Sequence, residues 1–176
     1  MRGYTQGGRF DSDFETNDIL SGVNSEIKNP VGTKAQWWFF DSANTNIDPI
    51  YDVGDGITVS AGGRRWTGPY SIPVVRAVIA QGNAKTSQSG FYKADELHLT
   101  LNIQDLTTIA PGFEYAIQNI GQQDKNRVVW KGQVYRPYLT QQRGIVAERY
   151  TLLAIDCIQV MPEEMQNDPQ FLQYAN

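Results

Sequence analysis

Residues 96–103 alternate without a break: Glu96-Leu97-His98-Leu99-Thr100-Leu101-Asn102-Ile103. Leu97, Leu99, Leu101 and Ile103 fall on one side, and Glu96, His98, Thr100 and Asn102 on the other. That is the period of a half-buried β-strand with one wet or partner-facing side. The sequence around it stays β in character. Asp52-Val53-Gly54-Asp55-Gly56 is a turn cluster leading into Ile57-Thr58-Val59, and Gly62-Gly63 ends that run before Arg64-Arg65-Trp66. Residues 72–80 are rich in Val and Ile, with Pro73 at the start of the predicted strand, where a missing ladder donor is tolerated. Arg127-Val128-Val129-Trp130 and Val134-Tyr135-Arg136-Pro137-Tyr138-Leu139 flank Lys131-Gly132-Gln133, a short glycine loop that predicts a hairpin. Gly144 introduces the longest apolar stretch, residues 145–160, apolar on both faces over its second half. In an antiparallel sheet such a strand needs cover on two sides.

The chain divides into an arm (residues 1–36), a core (37–160) and a tail (161–176). The arm is dense in Gly, Asp, Asn and Ser and holds no period for long, so extended or partner-ordered structure is expected there. Four consecutive aromatics, Trp37-Trp38-Phe39-Phe40, open the core. Residues 104–123 read ambiguously, with a turn at Ile109-Ala110-Pro111-Gly112 and a turn or two of helix from Phe113 to Ile120. In the tail, Pro162-Glu163-Glu164 and Asp168-Pro169-Gln170 each place Pro and acid near a helix start, predicting short helical turns that end near Tyr174. The expected fold is mainly β, a small barrel or sandwich with an extended N-terminal arm and a short helical tail. At 176 residues the chain is one domain of the ordinary size of about 100–200 residues.

Most kinds of chemistry find no support. With 15 Lys and Arg against 19 Asp and Glu, the net charge is -4, which disfavours a dedicated nucleic-acid binder. One cysteine, Cys157, leaves no internal disulfide and no multi-cysteine metal site, and one histidine leaves no histidine-rich one. Cys157 and His98 both sit inside apparent strands, Cys157 among apolar neighbours where a thiol is inert. Asp48, Asp52 and Asp55 do not match a calcium loop, and Gly62-Gly63-Arg64-Arg65 lacks the ending of a phosphate loop. No catalytic residue, metal or cofactor is expected. The first residues lack a signal-peptide core and no apolar run approaches the ~20 residues of a membrane span, so a soluble chain made in the cytoplasm is expected.

Three stretches together carry a family likeness: Gln36-Trp37-Trp38-Phe39-Phe40-Asp41-Ser42-Ala43-Asn44; residues 124–137, centred on Val128-Val129-Trp130-Lys131-Gly132-Gln133-Val134-Tyr135; and Asp156-Cys157-Ile158-Gln159-Val160-Met161-Pro162-Glu163-Glu164 with Asn167-Asp168-Pro169-Gln170-Phe171. Gly90-Phe91-Tyr92-Lys93-Ala94-Asp95 adds to it. The sequence resembles the head-to-tail connector proteins of tailed phages infecting actinobacteria, most closely the head-to-tail stopper, over most of residues 36–175. The resemblance implies a non-enzymatic β-barrel or sandwich assembled as a ring, a hexamer rather than a dodecamer, in the virion neck. Its partners would be the portal or adaptor above and the tail terminator below, and packaged DNA would pass through the lumen without specific binding or any membrane contact.

Within that frame Asp52, Asp55 and Glu96 are candidates for an acidic lumen, along which phosphate slides without sticking. The Gly/Ser/Gln-rich run Gln81, Gly82, Asn83, Ala84, Lys85, Thr86, Ser87, Gln88, Ser89 and Gly90 is the first candidate for a DNA-stopping loop, and residues 61–68 are the second, since each lacks packing residues. Trp37, Trp38, Tyr150, Phe171 and Tyr174 are the candidate subunit contacts. A tail terminator or another connector ring is the near alternative. A carbohydrate-binding module of a tail tip, using the aromatics as a sugar platform, is the alternative of a different class.

Overall fold

The computed structural model describes residues 12–27, 33–45, 64–81, 85–87, 90–92, 95–119, 123–146, 148–165 and 168–174. Helix α1 (Ser12–Ile27) precedes strands β1 (Lys34–Phe40), β2 (Trp66–Pro73) and β3 (Arg76–Ala80). A small hairpin, β4 (Lys85–Ser87) and β5 (Gly90–Tyr92), follows, then β6 (Glu96–Asn102) and the short helices α2 (Ile103–Thr107) and α3 (Phe113–Ile117). Strands β7 (Arg127–Trp130), β8 (Gln133–Val146) and β9 (Arg149–Gln159) lead to α4 (Pro162–Met165) and a 3-10 turn over Pro169–Tyr174. The fold is mainly β, one curled half-barrel sheet of seven antiparallel strands in the order β2-β1-β7-β8-β9-β6-β3.

The curl follows from a short connection. Strands β2 and β3 lie at opposite edges of the sheet, yet only Val74 and Val75 separate Pro73 from Arg76. Three Cα steps span at most about 11 Å, so the two edges are drawn together at that corner. The Val74 amide donates to Thr33 O at 2.9 Å and the Val75 amide to Thr100 O at 2.9 Å, tying the link to both flanks. Residues 72–80 therefore do not form one strand. Pro73 ends β2 instead of starting a strand, because the chain must leave one edge for the other.

Strand β6 buries Leu97, Leu99 and Leu101 and leaves Glu96, His98 and Thr100 half-exposed, as its alternation requires. It stops one residue earlier than the alternation, since Asn102 Oδ1 accepts the Gln104 amide at 2.9 Å and caps α2, which takes Ile103. Between β7 and β8 the turn is Lys131-Gly132, both with positive φ (50° and 78°), the two-residue geometry that suits the twist of a hairpin. Gly144 lies within β8, so residues 145–160 are not one strand; they end β8, turn, and form β9.

The N-terminal arm is a correction. Ser12–Ile27 is helical and not extended, and β1 begins inside the expected arm at Lys34. Its half-buried side runs Thr16, Leu20, Val23, Asn24 and Ile27, a helical spacing in which Thr and Asn occupy positions that an apolar pattern needs.

Two apolar clusters lie on opposite faces of the sheet. The larger holds Trp37, Ile72, Leu97, Leu99, Leu101, Leu106, Phe113, Val128, Trp130, Tyr135, Leu153, Ile155 and Cys157. The smaller holds Trp66, Val129, Val134, Val160, Met165 and Phe171, with Trp38, Phe40 and Tyr174 against it. The doubly covered strand is thus β7, buried at all four residues, and not the 145–160 stretch. The C-terminal tail supplies the second cover.

Candidate interaction surfaces

The tail is held over β1, β7 and β2 by a buried charge cluster. Arg127 and Asp168 have side chains 2% and 0% exposed, with Nη2 3.2 Å from Oδ2. Arg64 Nη2 lies 2.6 Å from Asp168 Oδ1, and Glu164 Oε1 accepts from Arg127 at 3.2 Å and from Arg136 at 3.3 Å. Burial pushes the Asp168 carboxyl up against the pull of Arg127 and Arg64. Burial likewise pushes the Arg127 guanidinium down, against the pull of Asp168 and Glu164. In both groups removal from water opposes the mutual attraction, as it does in a buried ion pair. Arg127 Nη1 donates to the Asp124, Lys125 and Asn126 carbonyls at 3.3, 3.2 and 3.1 Å, which fixes its position. The Trp66 ring lies against both guanidiniums, 5.9 Å from Arg64 and 5.3 Å from Arg127.

A second surface lies at the other end of the long strands. Strand β7 pairs with β8 only over Gln133–Tyr135, and β6 ends opposite Leu152, while β8 and β9 stay paired to Val146 and Arg149. Their common hairpin therefore projects past both neighbours. It carries Ile145 opposite Tyr150, 65% and 46% exposed, with Tyr138 and Leu139 exposed further down β8. Leu20 and Asn24 of α1, together with Ile103, Gln104 and Tyr150, line a groove beside it.

The outer face of β3, β6 and β9 is mixed and not greasy. Val78, His98, Asp156 and Leu139 form one cross-strand row, and His98 Nδ1 lies 2.7 Å from Asp156 Oδ1. Glu96, one of the candidate lumen acids, is half-exposed on the same face, 4.0 Å from His98 Nε2. Asp52 and Asp55 lie outside the described residues, as does the expected strand Ile57-Thr58-Val59.

Several candidate contacts need correction. Trp37 and Phe171 are fully buried inside the chain, so neither presents surface for a contact. Trp38 packs edge-on to Phe171 at 5.4 Å, and Tyr174 packs at 6.5 Å from the same ring, both half-buried. Of the five candidate contacts, Tyr150 is the exposed one. The first candidate stop loop is in part a hairpin, Lys85 opposite Tyr92 and Ser87 opposite Gly90, which leaves Gln81 exposed before it; Gly82, Asn83, Ala84, Gln88 and Ser89 lie outside the described residues. Of the second, residues 61–63 lie outside the described residues, and the rest includes buried Trp66 and the start of β2, a strand and not a loop. All four tryptophans are buried or half-buried, which leaves a sugar platform without an exposed indole. Sequence reasoning missed Arg64, Arg127 and Asp168 as one cluster. The signal that could have flagged them is an arginine in the otherwise apolar run Arg127-Val128-Val129-Trp130, since a buried guanidinium demands a carboxylate.

Among the described residues no group of three or more His, Cys, Asp or Glu side chains is arranged to hold a metal ion, and no helix is long and apolar enough to cross a membrane. Cys157 is fully buried, and burial pushes its thiol up, away from the reactive thiolate. The native chain is expected not to react with an aromatic disulfide reagent, and to react at one thiol per chain once unfolded in denaturant. Fast native-state labelling would show that β9 opens.

No protein-family model and no curated protein matches the sequence. Among solved structures, the chain is similar to one in the virion of a native gene transfer agent particle, at 12% identity and a TM-score of 0.38, over 72% of this chain and 93% of that one.

Proposed function

We propose that this chain is a non-enzymatic virion protein of the phage neck, a head-to-tail stopper that forms a ring, retains packaged DNA and gives the tail its docking surface. The observation that carries this reading is the resemblance of three separate stretches to that family, together with where the fold puts them. They meet in one unit. The Phe40 amide donates to Asn126 Oδ1 at 3.0 Å, Trp38 packs on Phe171 at 5.4 Å, and Arg127 pairs with Asp168 at 3.2 Å. Residues that resemble one family across a sequence distance of more than a hundred positions thus share one packed unit, as a family's common core would.

Two further features support it. The projecting hairpin offers apolar residues with the exposure that subunit contacts need, and the acidic balance suits a ring through which DNA must slide. In a phage that encodes this chain, its deletion is expected to give tailless heads that package DNA and then lose it, seen by electron microscopy and nuclease protection. Heads that keep their DNA beside tails of aberrant length would replace this reading with a tail terminator. Normal infectious particles would overturn both.

A further inference from the structure

The outer face of β3, β6, β9 and β8 carries two arginines without an acid partner. One cross-strand row on this face runs Arg76, Thr100, Ala154 and Gln141. Arg76 stands at its β3 end. Arg143 lies two residues along β8 from the other end, and its Nη2 donates to Gln141 Oε1 at 3.0 Å, which draws the guanidinium back toward that row. The row spans three strand intervals, about 14–15 Å at ~4.8 Å each. Both arginines nevertheless line a single groove of about 390 Å³ over Thr100 and Ala154. The two side chains therefore reach from opposite strands toward a common space.

Elsewhere the chain pairs its arginines: Arg64, Arg127 and Arg136 each meet a carboxylate, whereas among the described residues Arg76 and Arg143 meet none. Asp156 is the one acid lining the groove, and its Oδ1 is engaged by His98 Nδ1 at 2.7 Å; Glu96 stands beyond the ring, 4.0 Å from Nε2. Two guanidiniums thus face one engaged carboxylate, a local cationic surplus on a chain whose net charge is -4. Like charges turned toward one space repel, and an anion seated between them removes that cost. A carboxylate offers two oxygens in one plane, enough for one guanidinium fork. A tetrahedral phosphate offers oxygens to two forks on opposite sides and to the Thr100 hydroxyl between them. The groove also has the size of a small-molecule site, roughly 300–1,000 Å³, and Val78 adds apolar surface beside its polar floor.

We propose that this groove binds a phosphate ester, with the phosphate between Arg76 and Arg143 and the organic group against Val78. The proposal stands on this sheet face alone and does not rest on the neck reading. A free monoester and the backbone of single-stranded DNA supply the same chemistry, and the test separates them. The isotope-labelled full-length chain is titrated with phenyl phosphate and, separately, with an oligothymidylate, and followed by nuclear magnetic resonance. Saturable shifts are expected at the Thr100 and Ala154 amides and at the Nε–H groups of Arg76 and Arg143. Arg76→Gln and Arg143→Gln are each expected to weaken binding at least about tenfold, the loss of one charge-assisted contact. Both side chains are exposed, so the sheet is expected to stay intact by circular dichroism. Arg149→Gln, at an exposed arginine outside this groove, is expected to leave binding unchanged. Saturation by phenyl phosphate alone assigns a small ester; tighter binding of the oligothymidylate, lost in the same two variants, assigns the strand. Saturation by neither probe, or a loss in Arg149→Gln as large as in Arg76→Gln, would overturn the site and leave the expected effect of deletion on DNA retention untouched.

Discussion

Asp168→Ala is expected to destabilise the chain by about 3–5 kcal/mol, the usual cost of stripping one member from a buried ion pair. The side chain it removes is 0% exposed, and the guanidinium it leaves, Arg127, is 2% exposed. Glu164 remains 3.2 Å from Arg127, but it is 31% exposed and shared with Arg136, so it replaces little of what is lost. The loss is read as a lower denaturation midpoint at an unchanged slope. The double variant Arg127→Met with Asp168→Leu is expected to regain most of it, because an apolar pair carries no desolvation cost. A double variant as unstable as the single would show that the cluster acts through shape and not charge.

Trp37→Ala is expected to cost about 3–5 kcal/mol, while Tyr150→Ala stays within about 0.5 kcal/mol in the isolated chain. Trp37 is 0% exposed, packs 6.0 Å from the Phe39 ring and belongs to the larger cluster, where truncation removes its packing contacts and leaves a cavity. Tyr150 is 46% exposed at the end of a projecting hairpin. Urea denaturation of both variants checks the contrast. Comparable losses would place Tyr150 in the core and remove the hairpin as a free surface.

These contrasts mark what the sequence makes legible. Alternation over residues 96–103, the Lys131-Gly132 turn and the acid–proline starts of the tail all act locally, so the β class, the hairpin and the tail turns could be read from them. Adjacent Trp37 and Trp38 must point to opposite faces, as they do, but which face is covered depends on a residue 133 positions beyond Trp38. Phe171 covers Trp38, and without it the choice of interface residue falls wrongly on buried side chains. The helix Ser12–Ile27 was illegible because Thr16 and Asn24 take positions that an apolar period would fill. The split of residues 72–80 was illegible because nothing in Val74-Val75 announces that its flanks belong to opposite rims of the sheet.

That dipeptide also dictates when the molecule can be finished. The partners of two outer pairs, β1 with β2 and β3 with β6, are all synthesised by residue 102, one pair on each side of Val74-Val75. The middle of the sheet, β7 to β9, is synthesised last and must slot between them; the bond from Phe40 to Asn126 alone bridges 86 positions. Until the keystone arrives, the inner edges of β1 and β6 lack the partners that β7 and β9 supply, and their unmatched backbone is open to any sister chain on the same polysome. Closure of this kind is slow, on the order of milliseconds to seconds, which makes the closing stage of translation the interval in which copies are most apt to tangle.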